Sequence, residues 1–202
     1  MPFTDRTQAA LALCKRLEHF RGTNPLVLGI PRGAVPMAKI IAEHLNGDLD
    51  LVLVHKIGSP ENPEYAIGAV SESGIIYGKK PVGKLAQSEI EKLIQRRKVY
   101  SPLRTQIDPK NRTVIIVDDG IATGSTMLAA VLTLRNQGPK KLIIATPVVA
   151  KDTLKLFTNR VDEIVALETP EELFSISQFY DDFPQVTDDE VLSALLENQN
   201  AA

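Results

Sequence analysis

Residues 114–126 read Val-Ile-Ile-Val-Asp-Asp-Gly-Ile-Ala-Thr-Gly-Ser-Thr and carry more structural information than any other stretch. The four apolar, mostly β-branched residues at 114–117 predict a buried parallel strand. Two adjacent acids follow, Asp118 and Asp119, and then a loop containing glycines and hydroxyl side chains. A helix is predicted over 127–135. A strand that ends in acids and leads through such a loop into a helix predicts a site for a phosphorylated sugar.

The chemistry of this loop suits an anion and a sugar. The first turn of a helix presents free N–H groups and the positive end of the helix dipole. Gly120 and Gly124 let the backbone approach a ligand closely. The hydroxyls of Thr123, Ser125 and Thr126 can donate hydrogen bonds to phosphate oxygens. The two carboxylates can accept hydrogen bonds from neighbouring sugar hydroxyls or orient a hydrated Mg²⁺ ion.

The same residues resemble the phosphoribosyl diphosphate (PRPP) loop of the type I phosphoribosyltransferase family. That loop consists of four hydrophobic residues, two acids, a short variable stretch, Thr-Gly and then Ser or Thr. The resemblance implies that Asp118 and Asp119 are catalytic, hold the ribose and contact Mg²⁺ through water or substrate. The residues implied to bind the 5′-phosphate are Ala122, Thr123, Gly124, Ser125 and Thr126. An ordinary strand-to-helix turn capped by aspartate explains one acid and one glycine, but not the whole set.

Other phosphate motifs fit the sequence less well. A P-loop requires Gly, four residues and then Gly-Lys-Ser/Thr, whereas Gly120 is followed by Gly124-Ser125 without a lysine. The Gly-x-Gly-x-x-Gly fingerprint of dinucleotide-binding proteins occurs nowhere in the chain. A receiver-type acidic pocket would place its acids after the first strand, and here they lie past the middle of the chain.

Length and composition predict one soluble domain, with room for an appended lobe. The chain has 202 residues, of which 44% are hydrophobic and 24% are charged. Folding can bury roughly 70% of the unfolded surface at this length, so no metal or disulfide is needed for stability. The single cysteine, Cys14, lies on a predicted amphipathic helix over 5–20 and is expected to be buried. Because no signal sequence or membrane-length apolar run is found, we expect a cytoplasmic protein without a membrane partner.

The net charge is −2, but its distribution along the chain is uneven. Between Lys79 and Arg104 there are eight basic residues against two acids, whereas residues 161–202 contain eleven acids and no lysine or arginine. Both segments fit solvated surfaces, and the basic segment also fits an arm that closes over a diphosphate. The acidic tail argues against nucleic acid as a partner, because nucleic-acid binding needs a dominant positive face.

Strands alternating with helices predict an α/β fold with a central parallel sheet flanked by helices. The resemblance implies the type I phosphoribosyltransferase fold, with a core over residues 1–170 and a small C-terminal hood over 171–202. One core strand is predicted over 51–57. Ligands of such sheets bind at the carboxyl ends of the strands. We therefore expect the segments 31–33, 55–64 and 118–126 to converge.

Two further segments are assigned to the diphosphate of PRPP by the same resemblance. Arg32 and Gly33 lie in a loop after the first strand, where arginine offers two parallel donors and glycine permits a strained peptide. An exposed turn arginine is the simpler alternative. Lys56 ends the second strand and is expected to face the diphosphate, although it could also reach solvent. His55 should point to the opposite face of the strand.

A mobile lid and a hood that binds the acceptor are also implied. Residues 58–64, with or without the basic arm 79–104, are candidates for the lid, and Glu64 for an acid or base. In the hood, Tyr180 and Phe183 could stack on a planar acceptor. They could equally pack the C-terminal helix against the core.

The function predicted from these residues is Mg²⁺-dependent transfer of phosphoribose from PRPP to a nucleobase or similar nitrogen heterocycle. Some 6-oxopurine enzymes of the family carry an acid where this chain has Ala122. This difference disfavours a hypoxanthine or guanine enzyme and leaves the acceptor open. A non-catalytic PRPP-binding regulatory module is the alternative, and another phosphosugar enzyme or a hydrolase on the same fold comes third. Family members commonly form dimers, so we expect a homodimer.

Overall fold

Five parallel strands form the central sheet in the order β2-β1-β6-β7-β8. The computed structural model describes residues 2–58, 66–72, 74, 76–78, 83–100 and 106–199, without the side chains of 56, 58, 66, 67, 76–78, 83–85, 198 and 199. The strands of this sheet are β1 (Leu26–Gly29), β2 (Asp48–Leu51), β6 (Thr113–Val117), β7 (Lys141–Val148) and β8 (Glu163–Glu168). The predicted α/β architecture with a parallel sheet is confirmed.

Six α-helices are present in the described parts of the chain. They are α1 (Arg6–Leu17), α2 (Ala34–Leu45), α3 (Gly83–Tyr100), α4 (Ser125–Arg135), α5 (Lys151–Leu154) and α6 (Asp188–Gln199). The predicted helices over 5–20 and 127–135 correspond to α1 and α4, with small differences at their ends. None of these helices is long and apolar enough to cross a membrane.

Both faces of the central strands are buried, as their continuous apolar sequences require. Val27 of β1 and Ile115 of β6 face a layer built by α1, α2 and α6. Leu28 and Ile116 face the opposite layer, in which Met127 begins the buried stripe of α4. This alternation between two hydrophobic layers fixes the register of β1 beside β6 and brings the carboxyl ends of the two strands together.

A second, antiparallel sheet contradicts the prediction of one strand over 51–57. Its strands are β3 (Val54–Gly58), β4 (Ala66–Ser71) and β5 (Ile76–Gly78). The chain leaves the central sheet after Leu51 and begins β3 at Val54. Every residue of 51–54 is apolar and buried, without glycine or proline. Because either sheet can bury these residues, the sequence holds no signal for the change.

The C-terminal segment packs against the N-terminus. The Phe3 amide donates to Phe179 O at 2.7 Å, and the Asp181 amide donates to Phe3 O at 2.8 Å. Thr187 and Glu190 form a capping box at the start of α6, in which the Glu190 amide donates to Thr187 Oγ1 at 3.2 Å and the Thr187 amide donates to Glu190 Oε2 at 2.7 Å. Buried residues of this segment join the core formed by α1 and α2. The division at residue 170 into core and hood stays a prediction.

Cys14 is buried, and its thiol should react slowly in the folded protein. The side chain is 1% exposed, and burial raises the pKa of the thiol from 9.0 to about 11. We expect a maleimide reagent at pH 8 to label the native protein far more slowly than the urea-unfolded protein. In the native protein the reagent cannot reach the thiol, and little of the thiol is in the reactive thiolate form. Equal labelling rates would contradict this placement. The unfolded thiol ionises first as the pH rises above about 9, so this group also lowers stability there.

Candidate active site

The carboxyl ends of β1 and β6 bring the two predicted loops into contact. Gly29 pairs with Val117, and the Ile30 amide donates to Val117 O at 3.0 Å. A Cβ atom placed on Gly33 would lie 2.0 Å from Asp119 Oδ2. The convergence of residues 31–33 with 118–126 therefore agrees with the structure. The third segment, 55–64, continues from β3 of the other sheet, and its residues 59–64 lie outside the described part of the chain.

Gly33 is required for space rather than for backbone conformation. Its φ is −56° and its ψ is −33°, which any residue adopts, so the backbone angles of residue 33 do not themselves require glycine. The peptide bond between Pro31 and Arg32 is cis. What glycine provides is room for the Asp119 carboxylate to lie against the first turn of α2.

Arg6, at the first position of α1, binds Asp119, and sequence analysis did not assign it. Its Nε donates to Asp119 Oδ2 at 2.8 Å, and the two side chains are 13% and 18% exposed. Its Nη1 donates to Pro184 O at 2.7 Å. A cation in the first turn of a helix is disfavoured by the helix dipole, which is the one sequence signal that could have drawn attention to it. The largely buried ion pair with Asp119 offsets this unfavourable interaction with the dipole.

Asp118 lacks such a cation. Its Oδ1 accepts a hydrogen bond from the Asp119 amide at 3.0 Å, and it forms no ion pair with any described residue. Desolvation, followed by the neighbouring charge of Asp119, raises the pKa of Asp118 well above its usual range. The site thus contains one carboxylate neutralised by arginine and one that a bound cation or hydroxyl donors would stabilise.

The loop after the acids is anchored at its middle and open at its end. The Ile121 amide donates to Val148 O at 2.9 Å, and Thr153 Oγ1 donates to Ala122 O at 2.6 Å. Gly124 has φ +74° and immediately precedes α4. A Cβ at Gly124 would lie 2.7 Å from Thr153 Cγ2, so both conformation and space favour glycine here.

Three hydroxyls around the start of α4 are available to a ligand. Within the described residues, the side chains of Thr123, Ser125 and Thr126 make no hydrogen bond, and no side chain caps the helix. Thr123 is exposed, and the other two are partly exposed. Free amides, three hydroxyls and the positive end of the helix dipole together make an arrangement that can bind a phosphate group.

Arg32 lies beside the acids and faces a cavity of about 320 Å³ that Asp119 and Gly33 also line. Its Nη1 is 3.6 Å from Asp188 Oδ2 at the start of α6. Asp188 Oδ1 in turn accepts a hydrogen bond from the Tyr100 hydroxyl at 2.9 Å. Burial, followed by this bond, raises the pKa of Tyr100 to about 12, so the phenol stays a donor.

The structure describes several of the predicted site residues only in part. Lys56 lies in β3, where its Cα pairs with Ala69, but its side chain is outside the described set. Residues 59–64 of the lid candidate 58–64, including Glu64, are also outside it, as are residues 79–82 and 101–104 of the basic arm. His55 is exposed, with Nε2 3.5 Å from Glu89 Oε2.

Tyr180 and Phe183 pack against each other in the hood. Their ring centroids are 4.5 Å apart and the rings are stacked, while Phe3 contacts Tyr180 from another direction. Tyr180 is 6% exposed, and its hydroxyl donates to Asp119 O at 2.7 Å. The guanidinium of Arg6 lies 3.7 Å from the centre of the Phe183 ring. Tyr180 thus packs between the hood and the N-terminal segment, and stacking of either ring on an acceptor stays a prediction.

Comparison with known proteins identifies the family. A sequence model described as a phosphoribosyl transferase domain matches residues 7–183. The chain belongs to this family. The assignment agrees with the resemblance of residues 114–126 to the PRPP loop.

A protein of known crystal structure, TT1426 from Thermus thermophilus, is 37% identical to this chain. The match covers 98% of this chain and 99% of that protein, with a TM-score of 0.85. A Mycobacterium tuberculosis protein provisionally named a phosphoribosyl transferase is 36% identical over 96% of this chain. This chain spans 46% of that relative's length. A ribose-phosphate pyrophosphokinase of Methanopyrus kandleri is 31% identical over 67% of this chain and 43% of its own.

Proposed function

We propose that this protein transfers the 5-phosphoribosyl group from PRPP to a nitrogen heterocycle and releases diphosphate. The observation that carries the proposal is the meeting of two loops at the ends of β1 and β6, where Gly33 contacts Asp119. One loop offers arginine, and the other offers two acids followed by an open helix start. Membership in the phosphoribosyl transferase domain family supports the same activity.

Each part of PRPP has a matching group in the site. The free hydroxyls and amides of residues 122–126 suit the 5′-phosphate, and the carboxylates of Asp118 and Asp119 suit the ribose hydroxyls. Arg32 suits the diphosphate, and Lys56 is assigned to it by resemblance. These contacts would fix the C1 atom of the sugar between the two acids and the guanidinium of Arg32. Such fixation supplies the orientation that transfer requires.

The reaction breaks the bond between C1 and a diphosphate oxygen and forms a bond between C1 and an acceptor nitrogen. Positive charge develops on the ribose as the first bond breaks. Two carboxylates beneath the ring place negative charge near this cation, and Arg32 stabilises the charge on the departing diphosphate. The acceptor nitrogen loses its proton to a general base, the role for which Glu64 is the candidate.

The paired acids also fit a magnesium ion. Asp118 has a desolvated carboxylate without a paired cation among the described residues, and Mg²⁺ favours one or two carboxylates together with water and substrate phosphates. No group of three or more His, Cys, Asp or Glu side chains in the described chain could form a cage made of protein alone. We therefore infer that Asp118 and Asp119 hold Mg²⁺ jointly with PRPP, where the ion would offset diphosphate charge.

The test combines binding with turnover. We expect calorimetry to detect binding of PRPP in the presence of Mg²⁺. We also expect diphosphate release when one base from a panel of purines, pyrimidines and related heterocycles is added, and loss of this release on chelation of Mg²⁺. Reactions without base are the control. Binding without release from any base would favour the regulatory alternative, and absence of PRPP binding would contradict both.

A further inference from the structure

Three arginines from separate parts of the chain line one cavity. Arg6 begins α1, Arg32 follows β1, and Arg96 lies in the second half of α3. The cavity measures about 320 Å³ and also contains Asp119 and Gly33 in its wall. Such a concentration of guanidinium groups beside the predicted sugar site indicates a ligand with several negative charges.

The three arginines differ in how far their charge is already neutralised. Arg6 donates to Asp119 at 2.8 Å, and Arg32 lies 3.6 Å from an oxygen of Asp188. Arg96 makes no hydrogen bond or ion pair with any residue that the structure describes, and its side chain is exposed. Among these residues, nothing compensates its positive charge at the cavity wall. Residues 185–186 of the C-terminal segment complete the wall.

We propose that Arg96 binds the diphosphate group of the substrate and of the released product, together with Arg32. This inference rests on the proposed function. Diphosphate presents oxygens on two neighbouring phosphoryl groups, which can be shared between guanidinium groups arriving from different elements. A singly charged ligand would leave part of this positive charge without a partner. The family resemblance assigns the loop after β1 to the diphosphate, and the cavity adds Arg96 of the basic arm to that assignment.

Replacement of Arg96 by glutamine tests the assignment. We expect the dissociation constant of inorganic diphosphate to rise about ten- to hundredfold, as expected when one charge-assisted contact is lost. The matched control is Lys98→Gln, which removes one charge from the same helix but from a side chain that lines a different cavity. This control should change the affinity less than about threefold, since exposed charges act weakly through solvent. Arg96→Lys should fall between the two.

Further measurements separate binding from a structural role. Arg96 has no described partner to lose, so its glutamine variant should keep the melting temperature of the wild type. Its diphosphate affinity should depend less on salt concentration. Affinity for ribose 5-phosphate, which lacks the diphosphate, should be unchanged. A glutamine variant that binds diphosphate like the wild type, or weakens no more than Lys98→Gln, would overturn the proposal.

The proposed function can fail independently of this inference. If the wild type binds diphosphate through Arg96 but transfers phosphoribose to no base, the catalytic proposal is wrong and the assignment of Arg96 stands. If transfer proceeds and Arg96→Gln has wild-type Michaelis constants for PRPP, the assignment of Arg96 is wrong and the function stands.

Discussion

Replacement of Asp118 or Asp119 by asparagine should reduce phosphoribosyl transfer about ten- to hundredfold in each case. Each substitution keeps the shape of the side chain and removes one negative charge that the proposed function assigns to the ribose. The loss should appear in kcat/KM for PRPP, because the charge stabilises the cation that develops on the sugar. The two variants should nevertheless differ in stability.

The Asp119→Asn variant should unfold more easily than the wild type. Its carboxylate is largely buried and receives the Nε hydrogen bond of Arg6 at 2.8 Å. Loss of the charge leaves a buried guanidinium without its counter-ion, which should lower the free energy of unfolding by about 1–3 kcal/mol. For a protein of this size, the melting temperature should fall by roughly 2–4 °C per kcal/mol.

The Asp118→Asn variant should be as stable as the wild type or more stable. Because the pKa of Asp118 is raised in the folded protein, the folded state binds its proton more tightly than the unfolded state. The ionised carboxylate therefore opposes folding above the raised pKa, and this opposition shrinks as the pH falls from the raised pKa towards the ordinary pKa of an aspartate. Asparagine removes the charge at every pH.

Thermal unfolding of both variants without ligand, beside PRPP turnover, checks these expectations. The stability difference between wild type and Asp118→Asn should shrink as the pH is lowered. Wild-type turnover by both variants would contradict the assignment of the acids. A large loss of stability in Asp118→Asn would show that its carboxylate is not the destabilised member of the pair.

The sequence predicted those parts of the site that are encoded locally. β6, the acids, Gly124 and the start of α4 follow one another within residues 113–126, so strand pattern, loop composition and helix start could be read together. The parallel arrangement then placed the loop after β1 beside them, because adjacent strands end at the same edge. No contact between distant side chains was needed for either step.

Contacts between distant side chains were not predictable in this way. Arg6 and Asp119 are 113 residues apart, and nothing near either residue specifies the other. For Tyr180, the sequence left open whether the ring stacks on an acceptor or packs inside the protein, and the pairing of the two chain ends buries it. The sequence alone does not distinguish Arg96 from the other basic residues of α3. Only the packing of that helix distinguishes the face towards the acids from the face that Lys98 occupies.

Replacement of Gly33 by alanine should have a comparably large effect, for a purely steric reason. The backbone at Gly33 accepts alanine, since φ is −56°, but the new Cβ would lie 2.0 Å from Asp119 Oδ2 and 2.8 Å from its Cγ. Either the carboxylate or the first turn of α2 must move. A displacement of about 1 Å at a substrate-binding group can cost about a hundredfold in rate, and overpacking costs about 1–3 kcal/mol in stability.

A double-mutant cycle isolates this contact. In an Asp119→Ala background, both atoms nearest to the new Cβ are absent, so Gly33→Ala should cost much less stability than it costs in the wild type. Chemical denaturation of the four proteins measures the coupling. An equal cost in both backgrounds would place the effect in the loop itself and would contradict the argument that glycine is needed here to make room for Asp119. A strong coupling would mean that the need for glycine at position 33 is set by a side chain in the loop after β6, 86 residues further along the chain.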